Sequence, residues 1–273
     1  MLSKIKELLK NIRLKIIYGY RGKSEWYVEH IRKSGAKIGE NVTIFDPDTC
    51  IDITRPWLLE IGNNVKITRG VTILTHGFDW SVLNGKYGDI CGAAGKVAIG
   101  NIVFIGMHST ILKGVTIGDN VIIGANSLIN KDIPSNSVVA GNPAKVIGSL
   151  DDYHKKRLSL QFEEAKELAK AYKAATGLIP PQHVFREFVF LFRNEEDEYG
   201  KLIEKSYEEI LHINGNYNKT IETYKKRKPM FNSYEDFITA SLKEYITVVW
   251  RRSVNKDLIS IIVPRIIRRT IIN

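Results

Sequence analysis

The chain has little cysteine and no long apolar run, and both shortages limit what it can be. Only two of its 273 residues are cysteines, Cys50 and Cys91, which is too few for a disulfide framework and is typical of a reducing compartment. No apolar stretch approaches the roughly 20 residues of a membrane-spanning helix, and the N-terminus lacks the apolar segment of a signal peptide. We therefore expect a cytoplasmic protein.

The middle of the chain also lacks an excess of charge of either sign. The net charge of +10 comes from the two ends, because residues 37–148 carry nine basic and nine acidic side chains. Nucleic-acid-binding proteins more often interleave basic and aromatic residues over their core fold, so we expect no nucleic-acid partner. The basic ends fit an anionic membrane, an acidic partner, or ordinary solvated helix faces.

The chain does contain a six-residue repeat between Ile99 and Pro134. An isoleucine recurs every six residues, and a small or β-branched residue follows each one four positions later. The two series are Ile99, Ile105, Ile111, Ile117, Ile123, Ile129 and Val103, Ser109, Val115, Val121, Ser127, Ile133. Neither a helix nor a strand has this period, and a fixed repeat indicates a solenoid. Six residues form a short strand and a turn, so three units would close a triangular coil with both series pointing inward.

The same frame extends toward the N-terminus with two interruptions. It begins at Ile38 and places Cys50 in an inward, buried position. A few extra residues interrupt it at 55–57, and a longer segment interrupts it over about 77–98. Such segments are loops that leave one corner of a solenoid, and they commonly build its binding face.

Helical periodicity replaces the repeat at both ends. Residues 2–18 predict a basic amphipathic helix that would lie on a membrane surface or on a neighbouring subunit, and a short helix follows at 24–33. After residue 148 the pattern predicts helices at 152–175, 183–193, 200–212 and 233–252, and an apolar docking segment broken by arginines at 257–273. We predict three parts: a basic helical segment (1–36), a β-helix domain (37–149) and a helical C-terminal extension (150–273).

The repeat and two later motifs resemble the hexapeptide-repeat acyltransferases. These motifs are Lys131-Asp132-Ile133-Pro134 and Gly141-Asn142-Pro143-Ala144-Lys145-Val146, after Ile-Gly-x-x-Val at the six-residue period. Over residues 35–150 the chain is most similar to the maltose/galactoside and capsular-polysaccharide O-acetyltransferases. The resemblance implies a left-handed parallel β-helix of about four coils. Together with the helical patterns at both ends, we predict a mainly β fold with α: this β-helix with an N-terminal helix and an α-helical C-terminal extension, which the simpler galactoside-type enzymes lack. The resemblance also implies acetyl-CoA as cosubstrate, a sugar or glycan acceptor, and a homotrimer.

His76 is the candidate general base. It stands where the backbone leaves the repeat to start the long loop, which is where the resemblance places the catalytic histidine; the alternative is a histidine that only satisfies loop backbone. A sugar hydroxyl needs its proton removed to become a good nucleophile, and imidazole, with an ordinary pKa of about 6.5, suits that task. Asp79, close in sequence, and Asp52, on the preceding coil, are equal candidates for orienting the imidazole.

The absence of a paired serine or cysteine nucleophile predicts direct transfer from the thioester in a ternary complex, with a backbone N–H or a hydroxyl group at the oxyanion. For the donor, the resemblance assigns a groove on the later coils to Phe104, Gly124, Ala125, Asn130, Lys131 and Lys145. Phe104 replaces the tryptophan of galactoside-type enzymes, and the two lysines can meet phosphate charge; alternatively, Lys131 is a solvated corner residue.

We expect no metal. A zinc site like that of the γ-class carbonic anhydrases needs three histidines, and the repeat region contains only His76 and His108, so His108 is interpreted as a solvated corner residue. We predict an O-acetyltransferase that modifies a sugar during capsule, lipopolysaccharide or exopolysaccharide assembly, in the cytoplasm or peripherally at the inner face of the membrane. The alternatives are N-acetylation of an amino-sugar nucleotide on the same scaffold and a non-catalytic assembly scaffold.

Overall fold

The computed structural model describes residues 2–196, 198, 200–212 and 215–253, in two compact units that divide between Leu158 and Ser159. The helices are α1 (Leu2–Tyr18), α2 (Ser24–Lys33), α3 (Trp80–Tyr87), α4 (Leu150–Thr176), α5 (Lys205–His212), α6 (Tyr217–Lys226) and α7 (Tyr234–Ser253), with 3-10 turns at Gly19–Gly22, Pro56–Leu58 and Gln182–Phe188. The strands are β1 (Lys37–Ile38), β2 (Thr43–Ile44), β3 (Cys50–Ile51), β4 (Leu59–Ile61), β5 (Lys66–Ile67), β6 (Thr72–Ile73), β7 (His76–Gly77), β8 (Ala93–Ala94), β9 (Val97–Ile99), β10 (Val103–Ile105), β11 (Thr110–Ile111), β12 (Thr116–Ile117), β13 (Val121–Ile123), β14 (Leu128–Ile129), β15 (Ser137–Ala140) and β16 (Lys145–Ser149).

Three sheets of parallel strands form the sides of a prism in the first unit. Sheet A stacks β1, β4, β9 and β12; sheet B stacks β2, β5, β10, β13 and β15, with β16 added antiparallel at its end; sheet C stacks β3, β6, β11 and β14. Because neighbours in each sheet come from successive turns of the chain, the backbone visits A, B and C in order and then returns to A. The parallel sheets expected from the repeat are confirmed.

The inward frame of the repeat forms the core of the prism. The isoleucines that recur every six residues from Ile99 to Ile129 are each at most 4% exposed, so the six-residue period marks burial directly. Two inward positions are serines rather than aliphatic residues, and both are buried. Their hydroxyl groups donate to the same carbonyl oxygen, that of Gly124, at 3.0 Å from Ser109 and 2.6 Å from Ser127. These hydrogen bonds remove most of the penalty for placing a hydroxyl group in the core.

The prediction that Cys50 is buried in this frame is wrong. Cys50 is exposed, and Ile51 takes the inward position beside Ile73. The reason is a turn that is one residue longer than the repeat requires: Ile44 pairs with Ile67, and the chain then needs seven residues to reach Ile51 where the next coil needs six to reach Ile73. The extra residue moves the side chain at position 50 to the outer face.

One corner of the prism is built from stacked residues in the left-handed backbone region. Asn41, Asn64, Asn120 and Asn136 occupy it at φ between 56° and 59°, and Ile102 occupies it in the middle coil at 56°. Asparagine tolerates this conformation, whereas a β-branched residue is strained there. Amide side chains also bond along the corner, from Asn41 to Asn64 at 2.7 Å and from Asn120 to Asn136 at 2.9 Å.

The second unit is helical and has its own aromatic core. The largest fully buried side chains in it are Tyr207, Phe185, Phe192 and Phe237. The predicted helix at 152–175 lies within α4, and the one at 233–252 matches α7 to within one residue at each end. The predicted helix at 200–212 begins only at Lys205, and the range 183–193 contains a 3-10 turn in place of a helix. The sequence pattern missed α6, and the predicted docking segment 257–273 lies outside the described residues. No helix in the described part of the chain is long and apolar enough to cross a bilayer.

Candidate active site

His76 lies at the base of the long loop, just after strand β6 of sheet C. The backbone leaves the prism after β6, and β7 pairs antiparallel with β8, so that His76 faces Ala94 across the pair. The amide of Gly95 donates to the carbonyl oxygen of Thr75 at 3.0 Å, which closes the loop one residue before the histidine. The two loop ends therefore meet at the prism and fix the backbone of His76, while α3 lies between them.

The imidazole of His76 is held by the carboxylate of Asp52. The Nδ1 atom of His76 lies 2.6 Å from Oδ2 of Asp52, and the two residues come from adjacent coils because Asp52 follows β3 and His76 follows β6. The Asp52 side chain is only 4% exposed, whereas that of His76 is 32% exposed. The pair of Asp52 and His76, here called the dyad, therefore has a buried acidic end and a basic end open to solvent.

Two threonines complete the surroundings of Asp52. Thr75 donates to Oδ2 from its backbone N–H at 3.0 Å and from its hydroxyl group at 2.5 Å. Thr54 donates to Oδ1 from its backbone N–H at 3.0 Å and from its hydroxyl group at 2.7 Å. Burial alone would raise the pKa of Asp52, but these hydrogen bonds outweigh burial and hold the pKa well below its usual range. Asp52 is consequently a carboxylate at any ordinary pH.

This environment determines which nitrogen of His76 is available for chemistry. An ionised carboxylate can only accept hydrogen bonds, so Nδ1 of neutral His76 carries the proton and donates it to Asp52. The Nε2 atom is then left with a free lone pair, which is the form that a general base requires. The carboxylate would also stabilise the imidazolium formed when Nε2 takes up a proton.

The second candidate for orienting the imidazole, Asp79, has a different position. It is exposed at the start of α3, with its carboxylate packed over Gly77. Within the described part of the chain, no hydrogen bond or ion pair joins Asp79 to His76. Of the two candidate aspartates, Asp52 is therefore the one that contacts His76.

Two of the residues assigned to the donor groove lie at the same corner of the prism as His76. In sheet C, Ile73 stacks on Ile111 and Ile111 on Ile129, so the residues that follow these isoleucines share one corner. Lys131 therefore lies two coils from the corner of His76, or about 10 Å along the prism at the usual strand spacing. Asn130 accompanies it, and both are exposed.

The remaining donor-groove residues lie at other places on the prism. Phe104 points outward from the middle of sheet B and is 42% exposed. Gly124 and Ala125 form the turn that precedes β14, whereas Lys131 follows the other end of that strand. Lys145 is exposed on β16. These side chains surround the last coils, but one chain does not bring them into a single closed pocket.

Sequence reasoning missed three residues of this site. Thr54 and Thr75 hold the carboxylate, and Lys113 occupies the corner between the coils of His76 and Lys131. The stacking of coils was the signal that would have found them, because Lys113 follows Ile111 just as Thr75 follows Ile73. His108 is exposed at a different corner, with its ring over Gly70. Within the described residues no group of three or more metal-ligating side chains comes together.

Comparison with known proteins adds a family match to this geometry. The family model described as bacterial transferase hexapeptide (six repeats) matches residues 96–131. The chain is 41% identical to Protein CapG of Staphylococcus aureus over 130 residues, which are 48% of this chain and 75% of CapG. It is 39% identical to the galactoside O-acetyltransferase of Escherichia coli (strain K12) over 122 residues, which are 45% of this chain and 58% of that protein.

Two solved structures show the same resemblance. A galactoside acetyltransferase in complex with coenzyme A is 30% identical, with a TM-score of 0.40, and the match covers 54% of this chain and 83% of that one. A maltose O-acetyltransferase from Clostridium difficile 630 is 29% identical, with a TM-score of 0.36, over 46% of this chain and 75% of that one.

Proposed function

The chain belongs to the hexapeptide-repeat transferases and is an acyltransferase, and from this premise we propose that it transfers an acetyl group from acetyl-CoA to a sugar hydroxyl group. The observation that carries the proposal is the 2.6 Å contact between His76 and a buried, ionised Asp52. It leaves a basic nitrogen at the mouth of the loop. The names of the relatives support a sugar acceptor and O-acetylation.

In this proposal His76 acts as the general base of a direct transfer. Its Nε2 atom takes the proton from the acceptor hydroxyl group as the oxygen attacks the thioester carbonyl carbon. The tetrahedral intermediate then expels coenzyme A as a thiolate, which receives the proton from the imidazolium. Asp52 holds the ring in the required tautomer throughout and stabilises the transient positive charge.

The proposed donor site follows the exposed later coils. The coenzyme A arm would run from His76 along its corner, past Lys113, to Asn130 and Lys131, with lysine side chains near the phosphate groups. Phe104, Gly124, Ala125 and Lys145 would belong to the same groove if it lies between two prisms, since they occupy other sides of the chain. We therefore propose a homotrimer, and the balanced charge of residues 37–148 supports contact between prism faces.

The long loop is the proposed acceptor side of the site. It carries apolar and aromatic side chains that are largely exposed, among them Phe78 at 68% and Tyr87 at 61%. Aromatic rings of this kind stack on the apolar faces of sugars. The proposal also includes a left-handed prism of about four coils, a helical extension after residue 149 and a cytoplasmic location. The four strands stacked in each of sheets A and C support the number of coils.

The test is release of coenzyme A thiol from acetyl-CoA with a panel of sugars, for the wild type and His76→Ala. A general base contributes about 10²- to 10⁴-fold, so we expect a loss of that order in the variant with coenzyme A binding intact in calorimetry. His108→Ala, at an exposed corner with no role in the proposal, is the matched control. Turnover that survives His76→Ala would refute the site, and a hydroxylamine-resistant product would indicate N-acetylation instead.

A further inference from the structure

Helix α1 is turned the opposite way from an ordinary surface helix. A helix on a globular protein usually packs its apolar stripe on the core and shows its polar face to water. In α1 the part-buried residues include Asn11 and Leu14, and Leu14 packs against Gly22. The other isoleucines and leucines from position 5 onward face solvent, with exposures between 47% and 78%: Ile5, Leu8, Leu9, Ile12, Ile16 and Ile17. The apolar stripe is therefore not used by the fold of this unit.

Basic residues border this stripe on both sides. At about 100° per residue, five of these six side chains span an arc of roughly 100°, and Ile17 lies outside it. Lys4 and Lys15 lie beside one edge of it, and Lys6, Lys10 and Arg13 lie beyond the other. Glu7, the single acidic residue of the helix, falls on the far side. Within the described residues, none of the five basic side chains forms an ion pair with a carboxylate.

This arrangement matches the requirements of a lipid surface. Interfacial helices bury an apolar face at the boundary of the acyl chains, while lysine and arginine at its borders extend toward the headgroups. We propose that the outward face of α1 docks on the surface of an anionic membrane. Pairing with the same face of a second copy would bring two sets of unneutralised basic borders together, which disfavours a second copy as the occupant.

Membrane docking at α1 goes beyond acetyl transfer and is independent of it. A protein that holds its catalytic unit at a membrane surface would meet acceptors concentrated there, such as sugars carried on a lipid. Binding to vesicles requires neither acetyl-CoA nor an acceptor, so a negative result would leave the proposed enzyme activity untouched.

The experiment is sedimentation of the full chain with vesicles of phosphatidylcholine alone and of phosphatidylcholine mixed with phosphatidylglycerol. We expect binding to the mixed vesicles that weakens as salt is raised, and much weaker binding to the neutral ones. The double variant Leu9→Glu, Ile12→Glu should lower the partition coefficient at least about tenfold, because two apolar side chains can no longer enter the interface. Lys6→Gln with Lys10→Gln should lower it by about fivefold per residue on mixed vesicles only.

Matched controls separate the face of α1 from general effects. Ile203→Glu changes an isoleucine that is 59% exposed in the second unit. The double variant Lys155→Gln, Lys205→Gln removes two exposed positive charges outside α1. Neither control should alter vesicle binding by more than its change in net charge explains. Circular dichroism checks that the variants keep their helix content. Equal binding to both kinds of vesicle, no binding at all, or a change of sedimentation coefficient in Leu9→Glu, Ile12→Glu without lipid would each overturn the proposal, the last by showing that a second copy covers the face.

Discussion

Replacing Asp52 with asparagine tests the chemical role of the dyad most directly. The carboxylate accepts four hydrogen bonds from Thr54 and Thr75 in addition to the contact with His76. An asparagine side chain has one acceptor oxygen and an NH₂ group that only donates. Whichever way the amide is oriented, the backbone N–H of one of the threonines faces another donor, and only that of Thr75 is buried.

The magnitude follows from these contacts. A buried donor that loses its acceptor costs about 1–3 kcal/mol, so Asp52→Asn should lower the free energy of unfolding by up to that amount, most of all if the NH₂ group faces the buried amide of Thr75. If the NH₂ group faces His76, Nδ1 must accept and Nε2 carries the proton, which removes the general base. Loss of the correct tautomer and of the negative charge should reduce kcat by roughly 10²- to 10⁴-fold, with little change in KM for acetyl-CoA.

Three measurements separate this role from simple destabilisation. The first is kcat and KM by thiol release, and the second is the tautomer of His76 by ¹⁵N nuclear magnetic resonance. The third repeats both measurements on the matched control Asp79→Asn. Because the Asp79 carboxylate is exposed, its loss should leave the kinetic constants and the tautomer unchanged. An Asp52→Asn protein that retains full kcat while His76→Ala is inactive would refute the orienting role.

The pH dependence of stability provides a separate check on the state of Asp52. The pKa of this carboxyl group is lowered in the folded protein, so its contribution to stability is present above its ordinary pKa of about 3.9 and is lost as the pH falls toward the lower folded value. The difference in unfolding free energy between wild type and Asp52→Asn should therefore be constant above about pH 5 and shrink below about pH 4. A difference that persists unchanged in acid would contradict the assigned charge.

Three further variants test the rest of the site and the prism. Thr75→Val keeps the shape of the side chain but removes the hydroxyl donor to Asp52; we expect kcat to fall by about fivefold, the value of a hydrogen bond of roughly 1 kcal/mol, measured by thiol release. Ile105→Ala and Phe104→Ala change neighbours on opposite faces of β10: the first opens a cavity in the core and should destabilise the protein by about 2–5 kcal/mol, while the second should leave stability nearly unchanged and weaken coenzyme A binding by roughly two- to tenfold in calorimetry. Ile102→Asn places asparagine in the left-handed corner that asparagine occupies in the other coils, and should raise the unfolding free energy by about 1 kcal/mol in chemical denaturation; lower stability would show that the corner is not strained.

The interior of the prism was predictable because one short period determines it. Every position from Ile99 to Ile129 that the repeat marks as inward is buried, since each six-residue unit repeats the same strand and turn. The prediction failed at Cys50, where one added turn residue shifted the frame. A period measured over the regular coils does not reveal an insertion of one residue in an irregular coil, and only the pairing of Ile51 with Ile73 shows it.

The position of His76 at the base of the long loop was predictable, but the side chains around it were not. The end of a repeat before a long loop marked the histidine, whereas its partner is 24 residues earlier in the sequence. Asp79 is much nearer along the chain, and sequence distance alone did not rank Asp52 above it. Asp52 is brought to His76 by the stacking of β3 on β6, and that stacking depends on the length of every turn between the two strands. The helix α6 was missed because its residues are mostly polar, with Tyr224 as its one buried side chain.

Because the base of the long loop is closed, the segment inside the loop can be replaced without changing the prism. Because β7 pairs with β8 and Gly95 bonds back to Thr75, the chain re-enters the prism where it left, and the coils above and below are independent of what lies between. A segment of different length and composition, grafted between Gly77 and Ala93, would leave His76 and Asp52 in register. Under the proposed function, new acceptor preferences would then be accessible through this loop, in evolution or in the laboratory, without changing the pairing of His76 with Asp52.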